Sequence, residues 1–252
     1  GNIITINNLT NAAGAVLNNG GSGNVSAPTF TGNLWTIAGN STVLSDQGST
    51  IIGYPLTGSG ILTNLSGQTR TITYTGDLTA FTGKFFIFSS CTVAFGSGSS
   101  NLGNPAVLTP DQITIGNGCG ILDNVGLTFN NANSGITLSG GNATINAGAN
   151  TIISEPISDL TNGVSSVSTL TKAGAGSLVL SGANSYTGGT IISAGTLQLG
   201  AANALPVGNL TNNSALDLNA FNASVNIFSG SGTVDTVAGG TPTLTIGAAN
   251  GG

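Results

Sequence analysis

Short patterns of alternating apolar and polar residues, each closed by glycine or asparagine, recur along almost the whole chain. In Thr196–Leu199 the leucines alternate with Thr and Gln, so one face of this strand is buried and the other faces solvent. Residues 136–138, 143–145 and 151–153 show the same alternation, and such patterns return about every 8 to 10 residues. Glycine and asparagine tolerate positive φ at little cost, which lets the chain turn tightly at each strand end. Short strands with tight corners predict a chain that coils.

Two pairs of longer segments are similar to each other within the chain. Residues 81–96, FTGKFFIFSSCTVAFG, align with residues 186–200, YTGGTIISAGTLQLG, and residues 58–76 align in the same way with residues 230–247. A sandwich or barrel does not need a strand–turn–strand unit that recurs with matched spacing, whereas a solenoid does. The repeats therefore predict an all-β solenoid with little or no α-helix. At roughly 20 to 25 residues per turn it would make about 10 to 12 turns and be about 50 to 60 Å long.

The composition supports a folded chain and excludes two classes of partner. Charged residues make up only 4% of the 252 residues, but 39% are hydrophobic and the mean hydropathy is +0.31, which is unlike a disordered chain. The only cations are Arg70, Lys84 and Lys172. So few basic residues cannot form a patch that neutralises phosphates or holds a protein to an anionic membrane. We therefore expect no nucleic-acid binding and no membrane contact within this segment.

Histidine and cysteine content limits the chemistry that the chain can perform. The sequence contains no histidine, which excludes the Ser-His-Asp triad, the Cys-His pair and the common histidine-based metal sites. Cys91 and Cys119 are too few for a disulfide framework. Their separation is near one turn plus a few residues, so they could face each other in neighbouring turns. We predict two buried free thiols, and a disulfide remains the alternative.

The acidic residues give no clear catalytic or metal site. Glu155 and Asp159 are the closest acids in sequence, and because they flank Pro156 without a nearby cation we predict solvated loop charges. Residues 230–235, GSGTVD, are an isolated partial match to a calcium-binding nonapeptide that occurs in tandem elsewhere. We therefore predict no catalytic, cofactor or metal residues and no enzyme, with a polysaccharide-acting β-helix enzyme as a remote alternative. The other acids considered stand singly: Asp111, Asp123, Asp217 and Asp235.

Threonine rows supply an alternative function as a binding module. Thr71, Thr73 and Thr75 could present a flat face to glycans or to ice. Such a face needs the same row in consecutive turns, and the only comparable row is Thr241, Thr243 and Thr245, far along the chain. The binding module is therefore the second hypothesis, behind a structural role.

Residues 170–200, LTKAGAGSLVLSGANSYTGGTIISAGTLQLG, contain the best-preserved repeat. They resemble the autotransporter-associated β-strand repeat, also called the passenger-associated transport repeat. The resemblance implies a right-handed parallel β-helix from the exported passenger of a bacterial surface protein, attached to the outer membrane through a part not present in this sequence. Within the repeat we expect a solvated Lys172 and a packed Tyr186 ring, with Asn184 laddering or bonding a turn. We also expect inward-facing leucines at 178, 180, 197 and 199 and corners at Gly188, Gly189 and Gly195.

These observations favour a structural surface protein. We expect residues 1–252 to be a single solenoid segment of a longer chain, because Gly1 is no natural start and no targeting signal is present. We expect it outside the bacterial cell or on its surface, as a rigid rod for display, adhesion or fibre assembly. A solenoid end is an unpaired strand edge, so possible partners are other copies of the chain stacked end to end. A host or environmental surface or a glycan is the other class of partner.

Overall fold

The computed structural model describes residues 3–5, 9–11, 14–18, 29–45, 48–96, 102–161 and 167–247. These residues form strands, bends and turns, and no helix is found among them. Accordingly, no helix with the length and hydrophobicity to cross a membrane occurs in the described part of the chain. The predicted all-β class is confirmed.

The strands are short, and most contain three to six residues, which suits a chain that corners often. In chain order they are β1 (Ile3–Thr5), β2 (Leu9–Asn11), β3 (Ala15–Asn18), β4 (Thr29–Thr31), β5 (Trp35–Ile37), β6 (Ser41–Ser45), β7 (Thr50–Ile52), β8 (Leu56–Gly58), β9 (Ile61–Ser66), β10 (Arg70–Tyr74), β11 (Ala80–Phe81), β12 (Lys84–Phe88), β13 (Cys91–Phe95), β14 (Thr109–Gly116), β15 (Gly120–Asp123), β16 (Thr128–Phe129), β17 (Ser134–Ser139), β18 (Gly141–Ala147), β19 (Thr151–Ile153), β20 (Ile157–Asp159), β21 (Ser168–Ala173), β22 (Ser177–Leu180), β23 (Thr190–Ile192), β24 (Thr196–Leu199), β25 (Leu210–Asn212), β26 (Ala215–Asp217), β27 (Ala223–Val225), β28 (Phe228–Ser229), β29 (Thr233–Asp235) and β30 (Leu244–Ile246).

Among the described residues every strand pair is parallel, and the strands stack into five sheets. Sheet 1 has 11 strands in the order β1-β4-β7-β10-β13-β15-β18-β21-β23-β25-β28 and runs the length of the molecule. Sheet 2 is β11-β8-β5-β2, sheet 3 is β20-β17-β14-β12-β9-β6-β3, sheet 4 is β16-β19-β22-β24-β26-β29 and sheet 5 is β27-β30. Eleven stacked strands confirm the predicted 10 to 12 turns. At about 4.8 Å per strand they extend about 50 Å.

Each coil passes through three faces before it returns to sheet 1. In one coil β10 lies in sheet 1, β11 in sheet 2 and β12 in sheet 3, after which β13 rejoins sheet 1. Thr71 faces Thr92, 21 positions later, and Thr92 faces Gly120, 28 positions later. Near the C-terminal end Thr211 faces Ser229 after only 18 positions. The architecture is a parallel β-solenoid, as predicted. The right-handed sense in which the chain coils stays a prediction.

The cross-section of the solenoid changes along its axis. Sheet 2 ends at β11 and sheet 4 begins at β16, so the coil between them has no strand on this face in the described part of the chain. There Gly103 donates its backbone N–H to the carbonyl of Phe81 at 2.9 Å instead. Sheet 3 ends at β20, and loops occupy that face in the next two coils. The prediction that residues 1–252 form one segment covers residues that the structure does not describe, and it stays a prediction.

The core consists of inward-facing rows that run parallel to the axis. Leu178 faces Leu197 and Leu180 faces Leu199, and all four side chains are buried, as predicted for the repeat. In the middle of the molecule the rows are aromatic: Tyr74, Phe85, Phe95 and Phe129 form a chain with ring centroids 5.2 to 6.5 Å apart. Each aromatic pair of this kind stabilises the fold by about 1 kcal/mol, in addition to the stabilisation that comes from burying the two rings.

Candidate functional site

A row of hydroxyl side chains follows the outer face of sheet 1. Thr71 pairs with Thr92, Thr144 with Thr171 and Thr211 with Ser229, while Gly120 and Ile191 interrupt the row. Thr73 faces Ala94 in the next coil, so the row of three threonines at 71, 73 and 75 is not repeated there, as expected. The hydroxyl row on sheet 1 is a different feature: it runs across the strands, with one residue per coil, and only the register of the coils reveals it. Thr243 and Thr245, expected to form the comparable row, lie instead on the C-terminal face beside β27.

A polar groove opens where sheet 3 ends. It has a volume of about 450 Å³ and is built from four coils, with Pro110 and Leu160 as its apolar lining. The hydroxyl-bearing residues and carboxylates around it are Asp111, Thr137, Ser158, Asp159, Thr161, Ser185 and Thr187. The groove exists because loops replace the strand that would otherwise pair with β20. No local sequence pattern marked it, since its residues come from segments up to 77 positions apart in chain, from Pro110 to Thr187.

Two carboxylates of the groove are held by defined partners. Asp111 accepts a hydrogen bond from the ammonium of Lys84 at 2.6 Å, and this is the ion pair that the described residues form. Asp159 accepts hydrogen bonds from the backbone N–H of Ser168 at 3.1 Å and from the N–H and hydroxyl of Thr187 at 2.9 and 2.6 Å. Asp159 is therefore half-buried and bonded rather than the solvated charge that we expected.

Glu155 also departs from its prediction as a solvated loop charge. Its side chain is only 2% exposed, and it accepts a hydrogen bond from the backbone N–H of Asn131 at 3.0 Å. Burial raises the pKa of Glu155, partly opposed by hydrogen bonds from Ser134 and Asn131. Glu155 and Asp159 bond different segments, so they do not act on a common group. The alternation of buried positions through 151, 153, 155 and 157 explains why Glu155 points inward.

Lys172 is another charged residue whose side chain lies in the core. It faces Ile145 and Ile192, both fully buried, and its own side chain is 0% exposed, so the expected solvated charge was wrong. Its ammonium donates to the backbone carbonyls of Ala173, Gly174 and Ala194 at 2.8, 2.8 and 3.0 Å. Burial lowers the pKa of Lys172 to about 8. Lys172 thus holds together the turns of two neighbouring coils.

Tyr186 and Asn184 confirm two structural expectations for the repeat. Tyr186 is 1% exposed, its hydroxyl lies 2.8 Å from the hydroxyl of Thr190, and burial raises its pKa. Asn184 bonds the backbone of both neighbouring coils: it accepts from the N–H of Ile157 at 2.8 Å and donates to the carbonyl of Ala204 at 2.6 Å. The hydrogen bonds of both side chains join parts of the solenoid itself, so we assign them a structural role and no ligand contact.

The remaining acids have structural partners as well. Asp123 is fully buried and accepts from the N–H groups of Val125, Gly126 and Leu127 and from the hydroxyl of Thr151, which closes a turn. Asp217 faces Asp235 in the next coil, in the segment that partly matches the calcium nonapeptide. Among the described residues no group of three or more His, Cys, Asp or Glu side chains could hold a metal ion.

The glycines and cysteines complete the comparison with the sequence. Gly189 and Gly195 adopt positive φ of 94° and 65°, as expected for corners. Cys91 and Cys119 are buried and free, which confirms the predicted pair of thiols. Neither feature supplies a catalytic group on an accessible surface. Among the described residues, the features that remain open to a partner are the groove and the hydroxyl row.

Comparison with known proteins identifies the repeat. The passenger-associated-transport-repeat family matches residues 170–199, the segment that runs through β21, β22, β23 and β24. The comparison with curated proteins found no match, and the comparison with solved structures found none either. The matched family implies a secreted or cell-surface protein. The chain is therefore a parallel β-solenoid that carries the passenger-associated-transport-repeat of autotransporter passengers at residues 170–199.

Proposed function

We propose that this chain is a structural, non-enzymatic part of an autotransporter-like surface protein and serves as a rigid rod for display, adhesion or fibre assembly. The observation that carries the proposal is sheet 1, whose 11 parallel strands form one ladder along the molecule. The strands lie across the axis and pair with the strands of the neighbouring coils, so the backbone hydrogen bonds between them run along the axis. Bending or extending the rod would break these bonds. Such a ladder suits a mechanical role.

The last coil that the structure describes has open strand edges. β28, β29 and β30 are each the last strand of their sheets, so one edge of each is unpaired in the described part of the chain. Val234 continues the core row of the fully buried Leu216, yet it is 40% exposed. Ile246 continues the row of Val225 and is 58% exposed. The last coil thus offers apolar side chains together with free strand edges.

The first coils offer the matching half of that interface. Leu9 faces the fully buried Trp35, and Leu17 faces the fully buried Val43, yet both leucines are only partly buried. Strands at both ends run in the same direction, so a second copy stacked head to tail would continue the parallel ladder. A head-to-tail contact between different surfaces forms an open filament unless it closes into a ring. Further coils of a longer chain would cover these surfaces in the same way, and for the chain by itself the partner that we propose is a second copy.

Val234→Lys is expected to abolish this assembly. A lysine in the core row of the last coil would place a charge against the first coil of the next copy, and burying an unpaired charge is costly. Sedimentation velocity over a range of concentrations, with negative-stain imaging, should show wild-type rods that lengthen with concentration and Val234→Lys rods that do not. Val107→Lys is the matched control, because Val107 is 72% exposed on the side of the solenoid. Wild-type rods of constant length at all concentrations would contradict head-to-tail assembly.

The groove at the end of sheet 3 favours a second candidate function, glycan binding. Its hydroxyls and carboxylates can pair with sugar hydroxyls, while Pro110 and Leu160 supply apolar contact for a sugar ring. Its volume of about 450 Å³ lies within the range of small-molecule sites. Lys84 compensates the charge of Asp111 but not that of Asp159, so the groove keeps one negative charge and a neutral glycan fits it better than an anionic one.

A glycan array tests the second candidate with two matched variants. Ser158→Trp fills the groove, and Thr196→Trp places the same side chain on the outer face of sheet 4. We expect wild type and Thr196→Trp to bind the same neutral glycans and Ser158→Trp to lose at least tenfold in affinity. An array without signal for wild type would remove glycan binding and leave the structural proposal intact.

A further inference from the structure

Cys91 and Cys119 lie side by side in neighbouring coils. β13 pairs with β15 so that Thr92 faces Gly120, and the two cysteines immediately precede these residues. Parallel neighbours are about 4.8 Å apart, which falls within the range of about 4.4 to 6.8 Å between the Cα atoms of a disulfide. Both side chains belong to the buried core, with exposures of 0% and 2%. Their Cα–Cβ bonds therefore point the same way, toward the interior, and leave the Cβ atoms about 4.8 Å apart, so a disulfide requires the two Cβ atoms to approach to about 4.5 Å or less.

The turn before β13 lies next to Cys119. Ser89 and Ser90 in this turn adopt left-handed φ of 58° and 57°, a conformation that residues other than glycine rarely adopt. Burial raises the pKa of the Cys119 thiol, partly opposed by the backbone N–H groups of Cys91 and Ser90. Successive N–H groups of this kind stabilise negative charge. Cys119 is therefore the thiol better placed to react as a thiolate.

Cys119 lies nearer to the surface than Cys91, although it is only 2% exposed. It borders a recess of about 150 Å³ that is also lined by Thr92, Gly118, Thr144 and Asn146. Cys91 is fully buried and does not line the recess. A reagent would therefore have to reach Cys119 first, with Cys91 behind it.

The pair stands at the join between the two halves of the solenoid. Sheet 2 ends at β11 and sheet 4 begins at β16, and the two cysteines bracket the coil between them. This coil, from Thr92 to Gly120, spans 28 positions and is the longest that the register gives. A covalent link here would close the least regular coil of the described structure.

The geometry points to a cross-coil disulfide between Cys91 and Cys119 that forms when the chain meets a small-molecule or protein disulfide outside the cytoplasm. The Cys119 thiolate attacks one sulfur of the oxidant, its S–S bond breaks, and the released thiolate takes up the proton that Cys119 lost. The Cys91 thiol then loses its proton and attacks the Cys119 sulfur of the mixed disulfide, which releases the second thiol. Two protein thiols are oxidised and one disulfide is reduced to two thiols, so atoms and electrons balance.

Burial sets the rate of this reaction. It raises the pKa of Cys91 to about 12 and raises the pKa of Cys119 as well, so few thiolates exist in the folded chain at neutral pH. Because the thiolate is the nucleophile, oxidation of the folded protein should be slow at pH 7 and faster as the pH rises.

Incubation of the reduced full chain with oxidised glutathione at pH 8.5 tests the inference. We expect the intact mass to fall by two hydrogen atoms, and a peptide map without reductant to join the segments that contain Cys91 and Cys119. The melting temperature of the oxidised chain should exceed that of the reduced chain by roughly 5 to 15 °C. Cys91→Ser should instead retain glutathione on Cys119, which identifies the attacking thiol.

Wild-type protein alone also decides the matter, in case a variant does not fold. Two thiols that stay reduced after prolonged incubation, a glutathione adduct that is never resolved, or a disulfide between two chains would each overturn the inference. A bridge that forms without raising the melting temperature would overturn its role as a staple. Since none of these outcomes depends on assembly or glycan binding, the result is separate from the proposed function.

Discussion

Lys172→Met is expected to lower the free energy of unfolding by about 3 kcal/mol at pH 7. Two effects oppose each other. A pKa of about 8 in place of 10.5 corresponds to a cost of about 3 kcal/mol for keeping the buried ammonium charged, and methionine removes this cost. The lowered pKa already includes the hydrogen bonds of the ammonium, but methionine also leaves three backbone carbonyls without their donor, at about 1 to 3 kcal/mol for each one that stays buried and unpaired. The unpaired carbonyls outweigh the cost that methionine removes, so the variant is destabilised.

Lys84→Met is the matched control for this variant. Lys84 forms an ion pair with Asp111, but its side chain is 38% exposed, and exposed pairs contribute about 0 to 1 kcal/mol. Urea denaturation followed by circular dichroism should therefore separate the two lysines by about 2 kcal/mol or more. Equal losses for the two variants would show that the bonds of Lys172 to the turn carbonyls do not stabilise the fold.

The stability that Lys172 contributes should also depend on pH. Its pKa is lower in the folded state than in the unfolded chain, so the unfolded chain binds more protons between about pH 8 and pH 10.5. The contribution of Lys172 is accordingly largest above about pH 10.5, falls as the pH drops from about 10.5 to about 8, and stays constant below that. The difference between wild type and Lys172→Met isolates this effect, because the cysteines and tyrosines titrate alike in both. A difference that shrinks as the pH rises would contradict the buried position of the ammonium.

Lys172 and Glu155 show which part of the structure the sequence could have predicted. Both occupy the buried positions of an alternating pattern, two residues after Leu170 for the lysine and two residues after Ile153 for the glutamate. The periodicity of the strand therefore marked them as inward-facing, and only the ordinary preference of charged residues for solvent argued otherwise. In a solenoid every corner leaves backbone carbonyls and N–H groups near the core, and a buried charge can bond them.

The faces of the coil could not be predicted in the same way. Residues 81–96 and 186–200 align in sequence, yet the strands of the first segment belong to sheets 3 and 1 and those of the second to sheets 1 and 4. Strands on every face show the same alternation of apolar and polar residues, and all corners use glycine and asparagine. Local sequence similarity therefore does not indicate which face a strand occupies. The face follows from coil length, which varies from 18 to 28 positions between Thr211 and Ser229 and between Thr92 and Gly120.

The hydroxyl row and the groove both depend on the register between coils, and for this reason they could not be predicted from the sequence. Thr92 and Thr171 line up with Thr71 and Thr144 only after insertions of unequal length between the coils are accounted for. The groove requires in addition that sheet 3 stop at β20, and its residues occupy separate coils. The cysteine pair was the exception, because one turn of coil separates the two residues and their burial follows from the strand pattern.

Gly195→Ala is expected to destabilise the protein by about 4 kcal/mol or more. Its φ of 65° costs about 1 to 2 kcal/mol for a residue with a Cβ atom. The added methyl group would also lie 2.3 Å from the carbonyl oxygen of Gly176 and 2.4 Å from that of Gly174, both in the preceding coil. Neither backbone can retreat without breaking the contact between the coils. Gly239→Ala isolates the first cost, since its φ is 79° but nothing lies within 4 Å of the added atom.

The double variant Lys172→Met/Gly195→Ala tests whether the two single substitutions destabilise the protein by disrupting the same turn. The methyl group at 195 would lie 2.8 Å from the ammonium of Lys172 and against the Gly174 carbonyl that this ammonium bonds. Because each substitution disrupts the same contacts, we expect the double variant to lose at least 1 kcal/mol less than the sum of the single losses. Hydrogen exchange should place the lost protection in β21, β22, β23 and β24, since the coils of a solenoid interact with their nearest neighbours. Additive losses would show that the glycine and the lysine stabilise the stacked coils independently.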